Sequence, residues 1–201
     1  MRANCAGFPT ANEPVFDTAL VSKIICNLKL GKAADIDGLT CEHLLQSHSI
    51  LQVIISQLFK LILSTQYIPC GFKRSYIVPL PKLKDTHTKA MTCDDFRGIA
   101  ITPILCKLFE HCFLDKYQSL LTTGDNQFAF KKGLRCTNAI YACRKIVDHF
   151  VNSGSTVNIC AIYLSKAFDK VNHHALFIKL MKCHFPAKLL IVLENLFFTL
   201  S

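Results

Sequence analysis

The sequence lacks a hydrophobic run long enough to cross a membrane, although 51% of its 201 residues are hydrophobic and its mean hydropathy is +0.30. The longest apolar stretch, residues 50–63, is shorter than the roughly 20 residues that a membrane-spanning helix needs. It also contains Gln52, Gln57 and Lys60. A membrane partner is therefore not expected. The high hydropathy instead predicts a part of a larger protein, whose remaining portion covers some of the apolar surface.

The sequence also lacks the cysteine spacing of a metal site and the leader of a secreted protein. None of its eleven cysteines forms a C-x-x-C pair, and residues 1–10 contain no apolar leader segment. We therefore expect reduced thiols, mostly in the core, in an intracellular protein of the nucleus or cytoplasm. The chain has no internal repeat, low-complexity run or long linker.

Acidic residues are the scarcer charged class. The chain has 14 Asp and Glu against 23 Lys and Arg, which gives a net charge of +9. The basic excess is concentrated in residues 70–90, where Asp85 is the acidic residue, and at Lys131, Lys132 and Arg135. This segregation favours a polyanionic partner, with a solvated basic surface as the alternative.

The hydrophobic spacing predicts a helix-rich α/β fold of the α+β-like kind. Apolar residues recur at helical intervals over 16–28, whereas the continuous apolar run 159–164 is typical of a buried central strand. Residues 76–80 predict a strand, which Pro79 confines to a sheet edge. Further helices are expected over residues 50–63 (buried, because apolar almost all round), 105–113, 137–150 (capped by Thr137), 171–181 and 186–197.

The segment 156–174 reads TVNICAIYLSKAFDKVNHH. Within it, LSKAFDKVNH resembles motif A of the reverse transcriptases of LINE-type (non-LTR) retrotransposons, in the Jockey and chicken-repeat group. The resemblance implies the fingers and partial palm of a right-hand polymerase fold. Residues 1–15 would then be a frayed terminus. Residues 16–201 would be an N-terminal fragment of the domain, with fingers at about 16–155 and the first palm strand and following helices at 156–201.

Four earlier segments resemble further motifs of the same family, in the family's order. They are residues 28–44, 71–85, 94–113 and 126–150. GKAADIDG contains the turn dipeptide Asp37-Gly38, and Thr40 is expected to cap the next helix. Two positions depart from the family pattern: Asp35 and Ala129 each stand where glycine is usual, so we expect an altered turn at Asp35.

The resemblance implies roles for five basic residues. Lys82 would lie near the phosphates of an incoming deoxynucleoside triphosphate, and Arg97 would contact the triphosphate through its fork of donors. Lys131, Lys132 and Arg135 would contact phosphates of an RNA template or RNA–DNA hybrid. The alternatives are a solvated lysine for Lys82 and, for the arginine, an ion pair with a neighbouring aspartate.

The same resemblance implies a damaged catalytic centre. Intact relatives hold two Mg²⁺ ions with a motif A aspartate and a downstream Asp-Asp pair, which is absent before the chain ends. Tyr163 occupies the aspartate position, and a phenol is a poor Mg²⁺ ligand because it is bulkier and uncharged at physiological pH. Phe168 occupies the position of the gate that excludes ribonucleotides. Asp169 is expected to cap or brace the following helix, and His173 and His174 to begin it. We predict no intact catalytic residue and no bound metal.

The sequence therefore predicts a fragment of an RNA-directed DNA polymerase without catalytic activity. Its partners would be the RNA template or RNA–DNA hybrid, the deoxynucleoside triphosphate and the missing remainder of the polymerase domain. Two alternatives stay open: a retained, non-catalytic nucleic-acid-binding module, and a non-functional pseudogene product that folds poorly alone.

Overall fold

The computed structural model describes residues 16–82, 92–121, 123–131 and 133–198, with the side chains of residues 94 and 198 left out. The predicted frayed terminus, residues 1–15, lies outside this description. The described residues form a helix-rich α+β-like structure with one two-stranded sheet, which confirms the predicted class. Its elements are α1 (Thr18–Cys26), α2 (Cys41–Leu45), α3 (Ile50–Thr65), β1 (Tyr76–Pro81), β2 (Phe96–Ile101), α4 (Ile104–Tyr117), α5 (Cys136–Asn152), α6 (His173–Lys182) and α7 (Ala187–Phe198).

The described residues divide into two compact units. The first comprises residues 16–120 together with 177–198, and the second comprises residues 121–176. The buried apolar side chains belong to the first unit. The predicted boundary between fingers and palm, at residues 155–156, concerns polymerase subdomains and stays a prediction.

The core of the first unit is built on three fully buried aromatic rings. Phe16 precedes α1, Phe59 lies on α3 and Phe109 lies on α4. Their centroids are 6.2 Å (Phe16–Phe59), 5.3 Å (Phe16–Phe109) and 5.2 Å (Phe59–Phe109) apart, each pair edge to face. This geometry brings the positive edge of one ring to the negative face of the next. The three helices therefore meet at one aromatic cluster.

Polar contacts cap α1 and connect the helices that meet at the aromatic cluster. The Asp17 carboxylate accepts from the Leu20 amide at 2.8 Å and so caps α1. The buried Ser56 hydroxyl on α3 donates to the Phe16 carbonyl at 2.8 Å. The Lys23 ammonium and the Asp115 carboxylate, 2.8 Å apart, link α1 to α4. The predicted helices over 16–28 and 105–113 are confirmed as α1 and α4.

The predicted helix over residues 50–63 is also confirmed, but its burial is not. Ile55, Phe59 and Ile62 are buried, whereas Ile54 and Leu61 are more than half exposed. The prediction of a fully buried helix is therefore wrong. The reason is that α3 packs one face against α1 and α7 and leaves another face uncovered within the described residues.

The strand predicted over 76–80 is confirmed as β1, which pairs antiparallel with β2. Because the sheet has two strands among the described residues, both strands are edge strands, and Pro79 is tolerated opposite Gly98. The Tyr76 hydroxyl donates to the Ala34 carbonyl at 2.8 Å. This bond connects the hairpin to the turn that precedes α2.

Helices α6 and α7 form near their predicted positions. Phe177, Phe185, Leu189 and Val192 are buried in the core of the first unit. The Pro186 carbonyl accepts from the Leu190 amide at 3.1 Å, so the proline opens α7 as expected. The helix begins one residue later than predicted, at Ala187.

Helix α5 dominates the second unit and buries none of its side chains. Its N-cap residue is Arg135, whose amide donates to the Asn138 side chain at 2.8 Å. The expectation that Thr137 caps the helix is therefore wrong. Thr137 lies inside the first turn, and the cap bond is closed by an asparagine three residues after Arg135.

The prediction of an interior strand at residues 157–164 is also wrong. These residues form no helix or strand, and Ile159, Ile162, Tyr163 and Leu164 are each at least 72% exposed. A central strand requires neighbouring strands to accept and donate backbone hydrogen bonds. Within the described residues the sheet consists of β1 and β2 alone, so this segment has no partner strand.

The cysteines are more exposed than predicted. Of the ten described cysteines, Cys41, Cys106 and Cys112 are buried and most of the others are exposed, so the expectation of mostly core thiols is wrong. The ten are free thiols. No helix in the described part of the chain combines the length and apolar character that crossing a membrane requires.

Candidate functional site

The two residues predicted to contact a nucleotide lie at the same end of the β1–β2 hairpin. Arg97 pairs with Leu80 across the strands, and the Lys82 amide donates to the Asp95 carbonyl at 2.8 Å. Lys82 follows the last residue of β1 and Arg97 is the second residue of β2, so both lie at one end of the hairpin, and both are exposed.

The chain enters β2 through a short 3-10 turn, Cys93–Asp95. The Asp95 carboxylate accepts from the Thr92 amide and hydroxyl, each at 2.9 Å. These bonds fix the turn immediately before Arg97. In the described part of the chain the Arg97 guanidinium forms no salt bridge, which leaves its donors directed to solvent or to a ligand. The loop 83–91 of the predicted basic segment lies outside the described residues.

The turn before α2 is organised by the buried Asp35 carboxylate. One carboxylate oxygen accepts from the amides of Asp37 and Leu39 at 3.0 and 2.8 Å, and the other accepts from the Ile104 amide at 2.9 Å. Ile104 is the first residue of α4, where backbone N–H groups lack partners within the helix and an anion is favourable. Asp35 therefore ties the turn to the start of α4.

The altered turn expected at Asp35 is thus an ordered one. Asp37 and Gly38 form the predicted turn, and Gly38 has the positive φ of 77° that favours glycine. Thr40 occupies the N-cap position of α2, as predicted. The structural role of Asp35 was not predicted from the sequence. The available signal was the pattern D-x-D-G, because an aspartate side chain commonly bonds to amides two residues on.

Glu42 closes the other end of the same turn. Its carboxylate accepts from the Gly31 amide at 2.6 Å. This backbone hydrogen bond is the main reason why the pKa of Glu42 lies below its ordinary value. The segment from Gly31 to Glu42 is therefore held by its own carboxylates.

The residues predicted to contact a template lie in the second unit. The Lys131 ammonium donates to the Gly124 carbonyl at 2.7 Å, and Arg135 is exposed at the start of α5. Lys132 lies outside the described residues. An ammonium has three donors, so the bond to Gly124 leaves Lys131 able to contact a phosphate as well. Arg135 and Lys131 therefore sit on the loop that leads into α5.

The same unit brings Phe168, the predicted gate residue, against Phe130. Their rings are 6.1 Å apart and edge to face, although the two side chains are 77% and 89% exposed. Phe130 has a φ of 60°, a conformation that non-glycine residues seldom adopt. The contact joins the segment around Gln127 to the motif A segment. Tyr163 makes no such contact among the described residues and is 89% exposed.

Asp169 lies in the turn that follows Phe168, where its amide donates to the Lys166 carbonyl at 3.1 Å. The α6 cap comes from Asn172 instead, whose side-chain oxygen accepts from the Ala175 amide at 3.0 Å. The expectation that Asp169 caps this helix is therefore wrong. His173 begins α6, as predicted for the histidine pair.

The donor set at the motif A position does not fit Mg²⁺. This ion requires anionic oxygen ligands in near-octahedral geometry, and the side chain at the position is the neutral phenol of Tyr163. Among the described residues no three His, Cys, Asp or Glu side chains converge on a possible metal position. The residues at Tyr163 therefore do not fit a catalytic Mg²⁺ ion.

No protein-family model matches the chain. The chain is 24% identical over 180 residues to a probable RNA-directed DNA polymerase from transposon BS of Drosophila melanogaster. The aligned region covers 87% of this chain and 19% of the relative, so the chain spans about a fifth of that protein. This similarity supports a reverse-transcriptase-like relationship.

Proposed function

We propose that this chain is a segment of the reverse-transcriptase domain of a LINE-type (non-LTR) retrotransposon of the Jockey and chicken-repeat group. It would comprise the fingers and the opening of the palm of a right-hand polymerase fold, in an intracellular protein. The observation that carries the proposal is the similarity to a transposon RNA-directed DNA polymerase across 87% of the chain. The ordered motifs around Asp37, Lys82, Arg97 and Phe168 support it.

This segment on its own would not synthesise DNA. The phenol of Tyr163, a poor Mg²⁺ ligand, replaces the carboxylate that intact relatives use to hold this ion. The test is primer extension by the purified chain on an RNA template with Mg²⁺ and all four deoxynucleoside triphosphates, with an intact reverse transcriptase as positive control. We expect no extension product at any protein concentration. Extension that scales with the amount of the purified chain would refute the proposal of inactivity.

A retained role in nucleic-acid binding is the second candidate. The net charge of +9 and the exposed Arg97 and Arg135 favour it. Under this proposal Lys131, Lys132 and Arg135 contact the backbone of an RNA template or RNA–DNA hybrid, and Lys82 and Arg97 contact a deoxynucleoside triphosphate. Such contacts release counterions, so the affinity should fall steeply with salt.

Fluorescence anisotropy with a labelled RNA–DNA hybrid tests this role. We compare the unmodified chain with the Lys131→Gln, Lys132→Gln, Arg135→Gln triple variant at 50–200 mM salt, and use Lys179→Gln on α6 as the matched control. Each lost phosphate contact should reduce the slope of log affinity against log salt by about one. Equal affinity and equal slope for the triple variant would remove the role of this cluster.

The third possibility is a non-functional product that does not fold stably alone. It is favoured by the second unit, whose longest helix buries none of its side chains. Thermal unfolding followed by circular dichroism distinguishes a stably folded chain from one that does not fold alone. A cooperative transition excludes this possibility, whereas a gradual loss of signal with aggregation supports it.

A further inference from the structure

A pocket of about 350 Å³ opens in the first unit between the end of α1, the segment that follows it, the start of α2 and one face of α4. None of the residues assigned above to nucleotide or nucleic-acid contact lines it. It is lined by Ile24, Asn27, Leu28, Lys29, Lys32, Cys41, Lys107 and His111.

The lining combines an apolar floor with a cationic rim. Ile24 and Cys41 are buried, and Leu28 is half-buried. Lys107 and His111 are four residues apart on α4, so their side chains lie on the same helix face. The pocket volume is within the range of about 300–1,000 Å³ typical of small-molecule sites, and an apolar lining with a few polar groups is also typical.

The rim carries an excess of positive charge, which is partly offset by the electrostatic interaction of Glu110 with Lys107. Its titratable side chains are three lysines, a histidine and a thiol, and no Asp or Glu is among the lining residues. Within residues described by the structure, Lys29, Lys32 and Lys107 form no salt bridge. Like charges gathered around one concave surface repel each other and raise the local concentration of anions. An anion in the pocket would relieve that repulsion.

The apolar floor restricts the class of anion. A small inorganic ion would leave most of the volume, and the surfaces of Ile24 and Leu28, without contact. A ligand that fills the pocket would need an apolar or flat aromatic body on one side and an anionic group on the other. The Asn27 amide lines the pocket beside the apolar floor and donates to the Lys23 carbonyl at 2.8 Å, which leaves its second N–H and its oxygen for the edge of such a body.

We propose that this pocket binds a nucleoside phosphate, either free or at the 5′ end of a strand. The base lies on the floor formed by Ile24, Leu28 and Cys41, and the phosphate contacts Lys32 and Lys107. His111 supports this arrangement as a neutral hydrogen-bonding group, because burial and then the charge of Lys107 lower its pKa.

Isothermal titration of the full chain with adenosine 5′-monophosphate tests the proposal. We expect binding at one site, with adenosine and inorganic phosphate each binding more weakly than the complete nucleotide. Lys32→Gln and Lys107→Gln should each weaken the affinity about fivefold, because each removes one charge-assisted contact to the phosphate. Lys179→Gln, an exposed position outside the pocket, is the matched control and should leave the affinity unchanged.

A second pair of probes separates the two sources of the phosphate. A 5′-phosphorylated adenine dinucleotide that binds more tightly than the monophosphate, and loses its advantage without the 5′ phosphate, indicates a strand end. Tighter binding of the monophosphate indicates a free nucleotide.

Three results would overturn the proposal. The first is that neither probe binds at millimolar concentration. The second is that binding is unaffected in the Lys32→Gln, Lys107→Gln double variant. The third is loss of monophosphate binding in the Lys82→Gln, Arg97→Gln double variant with no loss in the pocket variants, because the nucleotide would then bind at the hairpin. Circular dichroism melts confirm that each variant is folded.

Discussion

At the scale of single residues, the chemistry of Asp35 shows how one side chain can organise a turn. A buried carboxylate is costly unless several donors satisfy it. Here the amides of Asp37, Leu39 and Ile104 provide that compensation, and the last of them belongs to the start of α4. The turn, the helix and, through Tyr76, the hairpin that carries Arg97 are thereby connected.

Replacement of Asp35 by asparagine should destabilise the chain by about 2–3 kcal/mol, because the amide keeps a single acceptor and loses the charge that strengthens the bonds. Urea unfolding followed by circular dichroism measures this difference. Asp37→Asn, an exposed position in the same turn, is the control and should change stability by less than about 0.5 kcal/mol. Equal stability of the two variants would show that the carboxylate does not hold the turn.

The thiols of Cys106 and Cys112 should be inert in the folded chain. Burial raises the pKa of each to about 12, with a smaller contribution from the charges of Glu110 and Asp115 respectively. Because the thiolate is the reactive species, maleimide at pH 7.5 should modify exposed Cys26 quickly and leave the two buried thiols unmodified.

Mass spectrometry of digested protein, with and without denaturant, measures this selectivity. In the unfolded chain all three thiols should react at similar rates, because their ordinary pKa values are restored. Rapid modification of Cys112 under native conditions would contradict the packing of α4.

At the scale of elements, α1, α3 and α4 depend on the aromatic cluster of Phe16, Phe59 and Phe109. Phe109→Leu removes two edge-to-face contacts and leaves unfilled volume, so we expect a loss of about 1–3 kcal/mol in the free energy of unfolding. Ile54→Ala, on the exposed face of α3, should change it by less than about 0.5 kcal/mol. Urea titrations of both variants provide the measurement. A larger effect at Ile54 would mean that the exposed face is covered in solution.

Helices were predictable from the sequence to the extent that their own residues determine them. The spacing of apolar residues predicted α1, α4, α6 and α7, and Pro79 correctly indicated an edge strand. What spacing cannot supply is the partner that covers an apolar face. For this reason α3 was predicted as fully buried although Ile54 is exposed, and residues 157–164 were predicted as a strand although the described residues offer no neighbouring strand.

The candidate site was predictable in a more limited way. The family resemblance selected Lys82 and Arg97, and the register of the hairpin places both at one end. For Asp35, the resemblance indicated only that an aspartate stands where glycine is usual. Two of its three acceptor bonds are local, from the amides of Asp37 and Leu39, but the third depends on Ile104 at the start of α4, about 70 residues later, and local sequence reasoning does not reach that distance. The cap of α5 was misassigned to Thr137 because Asn138 can supply the same bond from inside the helix.

At the scale of the whole molecule, the two units differ in how they are stabilised. The first unit contains the aromatic cluster and the buried residues of α6 and α7, whereas the second contributes no side chain to the buried core. Local opening costs least where few apolar contacts and few backbone hydrogen bonds must be broken. We therefore expect the second unit to open locally at a lower free-energy cost than the first.

Hydrogen exchange followed by mass spectrometry should reveal this difference at residues 156–164. None of their amides donates to a backbone carbonyl within the described structure, so peptides from this segment should exchange within seconds. Peptides from α4 should exchange only at the rate allowed by global unfolding, because that helix is packed at Leu108 and Phe109. Protection of the 156–164 segment equal to that of α4 would instead mean that it pairs as a strand. Dilution then identifies the partner, since pairing between two copies weakens on dilution and pairing within one chain does not.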